Sequence, residues 1–317
     1  MRVAVLIPCY NEAVTIERVV GEARRAFPGA QIVVGDNNST DATAGLALQS
    51  GARVVTEWRQ GKGAMVRRLF RDVDADWYVL VDGDATYDLS AAPAMVEQAQ
   101  VESVDFVNGV RIARSSQAFP VGHTWGNKLL TGAVTLIFGS GVDDMLSGFK
   151  VLSRRFVKSF PALATGFDLE TDLAVHALEC GIPVLCVPTH YVARPEGSHS
   201  KLSTFRDGWR IARLILALVR HERPMGFFGG IASVLAVASL VLIEPVWVAY
   251  IHTGLVPRFP TAILAMGLML AAGAALFAGV IGESITRGRR EMRMLAFLAQ
   301  PMPEGRQEAV QALQRAA

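Results

Sequence analysis

Hydrophobic and polar positions alternate in two periods along the first two-thirds of the chain. Val3 to Ile7 is a short apolar run ended by Pro8, which reads as a strand. Val14, Ile16, Val19, Val20 and Ala23 then recur at helical spacing, giving a helix over Glu12 to Ala26 with Asn11 as its N-cap. Ile32 to Val34 is a second strand. The turn-rich stretch GDNNSTDAT follows, and Thr40 or Asp41 opens the next helix. Ala52 to Val55 is a third strand, and Gly61-Lys62-Gly63 leads into a helix through Met65, Val66, Leu69 and Phe70. Tyr78 to Val81 places four β-favouring residues in a row, as in a buried strand, and stops at Asp82. Further on, Val104 to Gly109 reads as a strand, His123 to Phe138 as a helix, the segment from Phe167 as a helix and Val184 to Val187 as a strand.

Strand–helix alternation of this kind predicts a mostly parallel sheet with helices on both faces. Ligands of such sheets bind at the carboxyl ends of the strands. Cys9 to Glu12, Asp36-Asn37-Asn38 and Asp82-Gly83-Asp84 all fall there, so three polar clusters should share one crevice.

The pattern changes after Lys201. Leu202 to Arg223 intersperses Arg206, Arg210, Arg213, Arg220 and Arg223 with Trp209, Ile211, Leu214, Ile215 and Leu218, a basic amphipathic helix suited to a membrane interface. Gly226 to Ile251 is mostly apolar, broken by Glu244-Pro245. Ala262 to Ile281 carries no charge over about 20 residues, enough to cross a bilayer. Arginines flank both outer ends, and only Arg258 lies between. The positive-inside rule therefore predicts a hairpin with both termini in the cytoplasm. The tail from Pro301 reads as a short surface helix or a disordered segment.

Composition agrees with this division. Of 317 residues 51% are apolar and 19% charged, with the apolar excess after Gly226. A net charge of +2 exerts no general pull on nucleic acid. Three scattered cysteines, Cys9, Cys180 and Cys186, make neither a disulfide framework nor a zinc cluster, which favours a reduced, cytosol-facing globular part. The N-terminus lacks the long apolar region of a signal peptide. No G-x-G-x-x-G follows the first strand, Gly61-Lys62-Gly63 is not a P-loop, and H-E-x-x-H and G-x-S-x-G are missing. Hydride transfer, P-loop hydrolysis, zinc proteolysis and esterase chemistry lose ground accordingly.

The candidate chemistry centres on Asp82 and Asp84. Two carboxylates one residue apart at a buried strand tip are costly unless a positive group meets them. A divalent cation carrying substrate phosphates is the usual partner, and Gly83 leaves room for a ligand. Arg111, after the strand ending at Gly109, is a candidate for a phosphate through its two-pronged guanidinium, with Arg114 as a second. Asp143-Asp144 forms another acidic cluster.

Several motifs in order resemble the family 2 inverting glycosyltransferases: Pro8 to Glu12, Asp36 to Asp41, Lys62-Gly63, and Asp82-Gly83-Asp84 as the D-x-D. DMLSGFK (Asp144 to Lys150) and RPEGSHSKL (Arg194 to Leu202) are similar to the dolichyl- or polyprenyl-phosphate hexosyltransferase branch. The resemblance implies a GT-A fold over residues 1–201, an interfacial helix over 202–224, a two-span hairpin over 225–284 and a cytoplasmic tail over 285–317. It implies that Pro8, Tyr10, Glu12, Asp36 and Lys62 bind a nucleoside diphosphate sugar, with Arg194 and Lys201 closing over its diphosphate. Asp82 and Asp84 would hold Mg²⁺ or Mn²⁺, and Asp144 would sit beside the reacting centre, orienting the acceptor. Arg111, Ser147 and Lys150 would meet the acceptor phosphate.

A phosphate monoester ionises a second time near pH 6, so no strong base is required. Mannosyl-phosphate synthases of the branch often carry Gln two positions after the second Asp. Thr86 stands here, which leans the donor towards uridine over GDP-mannose. Lys150 replaces the branch's frequent Arg. The implied reaction transfers a hexose or N-acetylhexosamine to a polyprenyl or dolichyl phosphate in the lipid phase. The rival readings are a polysaccharide synthase, disfavoured by the missing Q-x-x-R-W, and a non-catalytic nucleotide-sugar-binding protein, disfavoured by retention of both acidic clusters. Partners other than donor, lipid acceptor and membrane are not implied, and a homo-oligomer is left open.

Overall fold

The computed structural model describes residues 1–113, 121–138, 142–161, 169–192 and 204–301. The chain divides into two compact units, Met1–Ile211 with Met292–Ala317, and Ala212–Glu291.

The first unit is built on a sheet of seven strands: β1 (Val3–Cys9), β2 (Gln31–Asp36), β3 (Arg53–Thr56), β4 (Trp77–Leu80), β5 (Phe106–Ala113), β6 (Lys150–Ser153) and β7 (Val184–Tyr191). Their order is β3-β2-β1-β4-β6-β5-β7. All neighbouring pairs are parallel except the two made by β6, which runs against β4 and β5. That reversal matters for function. A strand running backwards begins where its neighbours end, so the loop before Lys150 lies on the carboxyl edge of the others. Lys150 pairs with Leu80, just before Asp82, and with Asn108. The sequence pattern predicted the parallel strands but not this short reversed one.

The side-chain period of two splits the strands between two cores. Val5, Ile7, Cys9, Trp77, Val79 and Val81 face one layer, with α1 (Ile16–Ala26), α2 (Thr43–Gln49) and α4 (Ala92–Val101). Ala4, Leu6, Tyr78 and Leu80 face the other, with α3 (Lys62–Asp72), α6 (Arg154–Ser159) and α7 (Leu169–Glu179). An 18-residue helix, α5 (Val121–Phe138), lies between β5 and β6 in the chain.

Two predicted helix starts are corrected. α1 begins at Ile16 and not at Glu12, because Asn11 adopts a left-handed conformation at φ 56°. Its side chain does not cap α1 but accepts from Thr40 N at 2.8 Å, binding the first loop to the second. α2 begins at Thr43, with Asp41 Oδ1 accepting from Thr43 N at 2.9 Å.

The second unit is helical. α8 (Thr204–Glu222) enters it, and α9 (Pro224–Thr253) and α10 (Phe259–Leu298) run antiparallel within it. Ser239 Oγ donates to Ala265 O at 2.6 Å, and Gly279 and Gly282 let α10 approach Met225 and Pro224 near the other end. Small residues at such contacts are what allow two apolar helices to pack closely in lipid. Gly254 ends α9 in the left-handed region at φ 67°. Both helices are long and apolar enough to cross a membrane, with mean hydropathy of 2.3 and 2.2 over their best windows, and most of that surface is exposed. α10 continues as one helix past 284 to Leu298, and its last turns belong to the first unit, where Phe297 joins the second core layer and lies 4.3 Å from the Arg155 guanidinium.

Candidate active site

The carboxyl edge of the sheet is strongly cross-linked by polar side chains. Four of the five left-handed non-glycine residues, Asn11, Asn38, Ala85 and Asp144, stand in its loops. Strained backbone concentrates where side chains must be aimed. Asn37, buried at the end of β2, donates from Nδ2 to Glu57 O at 2.9 Å and to Arg59 O at 2.8 Å. Its Oδ1 accepts from Gly61 N at 2.7 Å. One amide thus fixes the loop that presents Lys62.

The β4 tip is tied to the first loop from behind. Thr15 Oγ1 donates to Gly83 O at 2.6 Å, and a Cβ on Gly83 would overlap Cys9 Sγ, so glycine is required for this approach. Burial, with the charge of Glu12 and the neighbouring aspartates, pushes the Cys9 thiol up and keeps it a neutral packing group. Asp84 is buried, and its Oδ1 accepts from Thr86 Oγ1 at 2.6 Å and Thr86 N at 3.2 Å. Thr86 therefore positions the second aspartate. Asp82 stands further out. Burial raises its pKa, Asp84 and Glu170 add to that, and Lys62 opposes it. Lys62 Nζ contacts Asp82 Oδ1 and Glu170 Oε1 together. Burial would lower the Lys62 pKa, but the two carboxylates outweigh it and raise it. Burial would raise Glu170, and Lys62 outweighs that and lowers it.

The antiparallel β6 brings the second acidic cluster to the same edge. Gly148 N donates to Tyr87 Oη at 2.7 Å, and a Cβ on Gly148 would stand 2.6 Å from Asp82 Cγ. Asp144 is locked by Arg111: Nε donates to Oδ2 at 2.7 Å, Nη2 to Oδ1 at 2.6 Å, and the Arg111 backbone N to Oδ2 at 3.0 Å. Burial alone would raise Asp144, but the guanidinium holds it below its ordinary value. The Arg111 guanidinium also lies 5.5 Å from the Tyr191 ring centre. Asn108 is fully buried and binds the Asp144 loop through Asp143 O at 2.6 Å and Asp144 O at 3.2 Å, while its Oδ1 accepts from Lys150 Nζ at 2.6 Å.

Most of the residues expected at the site do meet on one edge: Pro8, at the end of β1 opposite Gly35, with Tyr10, Glu12, Asp36, Lys62, Asp82, Asp84, Arg111 and Asp144. Asp36 accepts from Ser39 N at 3.3 Å and closes its own loop. Ser147 and Lys150, expected at the acceptor phosphate, belong to the same edge. Both are fully buried, Ser147 Oγ accepting from Phe149 N at 3.3 Å and Lys150 serving Asn108. Through Asn108, Lys150 supports the acidic loop. Burial lowers Lys150 to about 8, with Glu170 and Asp144 resisting that fall.

Arg114, Arg194 and Lys201 lie outside the described residues. The described stretch before Arg194 ends at Val192, whose N donates to Thr86 O at 3.0 Å. Asn37, Asn108, Tyr87 and Glu170 are the supporting residues that local patterns did not single out for these tasks. Glu170 carried a signal, in the acidic start of its helix, but the helix dipole accounted for it equally well.

Does this arrangement fit a divalent cation? Among the described residues no three His, Cys, Asp or Glu side chains gather as a closed metal cage. Asp82 and Asp84 supply two hard carboxylates, which suits Mg²⁺ or Mn²⁺ completed by phosphate oxygens and water. The residues therefore fit a metal that arrives with a phosphorylated ligand.

A mostly parallel α/β sheet with paired carboxylates at its carboxyl edge places the chain in the α/β class whose ligands bind at that edge. Comparison with known proteins sharpens this: the glycosyl transferase family 2 model matches residues 4–160. Glycosyltransferase AglJ of Haloferax volcanii is 34% identical over 251 residues, covering 78% of this chain and 81% of that protein. A dolichyl-phosphate hexose transferase of the same organism is 26% identical over 220 residues, covering 69% of this chain and 95% of its own. The crystal structure of glucosyl-3-phosphoglycerate synthase from Mycobacterium tuberculosis with Mn²⁺, uridine diphosphate glucose and phosphoglyceric acid aligns with a TM-score of 0.55 at 25% identity, over 69% of this chain and 78% of that one. The chain belongs to glycosyl transferase family 2, has the GT-A fold and is a glycosyltransferase.

Proposed function

We propose that the protein transfers a hexose or N-acetylhexosamine from a nucleoside diphosphate sugar to a polyprenyl phosphate, with inversion and with a divalent metal. A uridine diphosphate sugar is the favoured donor and GDP-mannose the alternative. One observation carries the reading: Asp82-Gly83-Asp84 and the Asp144–Arg111 pair share one edge of the sheet, in a chain that also has two membrane-length helices. The named relatives add weight, one being a dolichyl-phosphate hexose transferase and another structure holding Mn²⁺ with a uridine donor.

In this reading Pro8, Tyr10, Glu12 and Asp36 surround the base and ribose. Asp82 and Asp84 bind Mg²⁺ or Mn²⁺, which supplies positive charge to the departing diphosphate. Lys62 adds a second positive charge beside it, and Arg194 and Lys201 are assigned to the same diphosphate. The Asp144–Arg111 pair is neutral as a unit, so an anionic acceptor meets no net repulsion there. Asp144 orients that acceptor, whose phosphate is already largely ionised at neutral pH. Asn108, Lys150 and Ser147 hold the Asp144 loop from behind. α9 and α10 form a hairpin with both ends in the cytoplasm, and the basic α8 lies at the membrane interface.

The test is incubation of purified protein with Mn²⁺, a short polyprenyl phosphate and labelled nucleotide sugars, followed by organic extraction. Label from one donor is expected in the lipid phase. Donor consumption with no lipid-phase label would contradict the acceptor assignment.

A further inference from the structure

The Lys62 ammonium touches two carboxylates on separate elements, Asp82 after β4 and Glu170 in the first turn of α7. We infer that Lys62 is the resident counter-ion of the D-x-D, and that Glu170 is the position to which it withdraws when metal and donor diphosphate bind. The inference rests on the donor-site reading above and adds a role for Glu170, which acts through Lys62 as a positioning residue.

The argument is electrostatic and geometric. Asp82, Asp84 and Glu170 place three carboxylates around one strand tip, and each would raise the others' cost of ionising. Lys62 offsets that while the site awaits its ligand. A divalent cation on Asp82 competes with an ammonium already on Asp82 Oδ1. Two cations cannot share one carboxylate oxygen at contact distance without strong repulsion. Because Nζ already touches Glu170 Oε1, rotation within the lysine side chain frees Asp82 and keeps one ion pair throughout. No backbone movement is needed.

Exposure favours the exchange. The Lys62 and Asp82 side chains are 32% and 26% exposed, so water and ions reach the pair. Glu170, at 15%, is more enclosed and holds the withdrawn ammonium in a drier place. The consequence is an order of binding: the donor-free protein holds metal weakly, and metal and donor enter together.

The experiment measures Mn²⁺ binding to the full chain in detergent, by electron paramagnetic resonance of free Mn²⁺, with and without uridine diphosphate. Lys62→Gln is expected to tighten nucleotide-free Mn²⁺ binding about tenfold. Glu170→Gln is expected to weaken it about tenfold in the wild-type background and to change it little in the Lys62→Gln background. Unchanged or weaker binding in Lys62→Gln, with binding abolished in Asp82→Asn, would overturn the exchange and leave the metal site standing. A Glu170→Gln effect that persists without Lys62 would show Glu170 acting directly on the metal, and would also overturn it. Binding unaffected by Asp82→Asn and Asp84→Asn would remove the metal-site reading itself. Circular dichroism checks each fold, and Lys62→Met repeats the measurement should the Gln variant not fold.

Discussion

Two ion pairs face the crevice, and they differ in almost everything but their chemistry. Lys62–Asp82 is partly open, shares its cation with a second carboxylate, and leaves the aspartate with a raised pKa. Arg111–Asp144 is nearly closed at 8% and 9% side-chain exposure, bidentate, and holds its aspartate below the ordinary value. The first is built to exchange partners and the second to stay as it is. The difference suits a site where a charged ligand must come and go beside a reacting centre that must not move.

That contrast can be broken at several points. Asp84→Asn has the largest expected effect, a loss of about a thousandfold in kcat with the fold intact, because in the proposed function it removes a ligand of the metal that would offset the leaving diphosphate. Lipid-phase product formation and circular dichroism together check it. Asp144→Asn comes next, and should reveal itself in stability. It leaves Arg111 buried without its counter-charge, a loss of about 3–5 kcal/mol in urea unfolding. Asp82→Asn, at the open pair, should change stability by less than about 1 kcal/mol. Equal losses from the two substitutions would erase the distinction. The stabilisation from ionised Asp144 should be complete above its ordinary value of 3.8 and fade as pH falls below it, through the lower folded value.

Gly148→Ala sharpens the boundary between the two pairs. Its new Cβ would stand 2.6 Å from Asp82 Cγ, so the carboxylate must shift. A loss of about 1–3 kcal/mol is expected, with about a tenfold fall in activity. The last effect, read as a slope with pH, concerns Lys150. Its folded pKa of about 8 lies below the ordinary 10.5, so between those values the unfolded chain binds a proton that the folded one does not. Its contribution to stability therefore rises with pH across that window, by at most about 1.4 kcal/mol per pH unit. Lys150→Met should remove this slope in unfolding curves recorded from pH 8 to 10.5.

The open pair was far more legible in the sequence than the closed one. Apolar runs ending in Pro8, Asp36 and Asp82 mark strand tips, and parallel strands put all tips on one side. The closed pair depends on β6, four residues long and running backwards, which no period in so short a segment can reveal. Without it, Arg111 and Asp144 are two unrelated polar residues 33 positions apart. The burial of Ser147 and Lys150 was hidden for the same reason, since a lysine in a loop motif reads as exposed until its strand is known. Glu170 meets Lys62 across 108 positions, a pairing that only tertiary structure brings about. Asn11 looked like a helix cap because its neighbours are helical in pattern; its side chain instead serves the adjoining loop.

The most direct measurement is a structure of the protein with Mn²⁺ and a uridine diphosphate sugar, using the anomalous signal of manganese to locate the ion. The account predicts one manganese site between Asp82 and Asp84 against the diphosphate, Lys62 moved onto Glu170, and Arg111–Asp144 unchanged. Manganese elsewhere, or Lys62 still on Asp82 with donor bound, would contradict it.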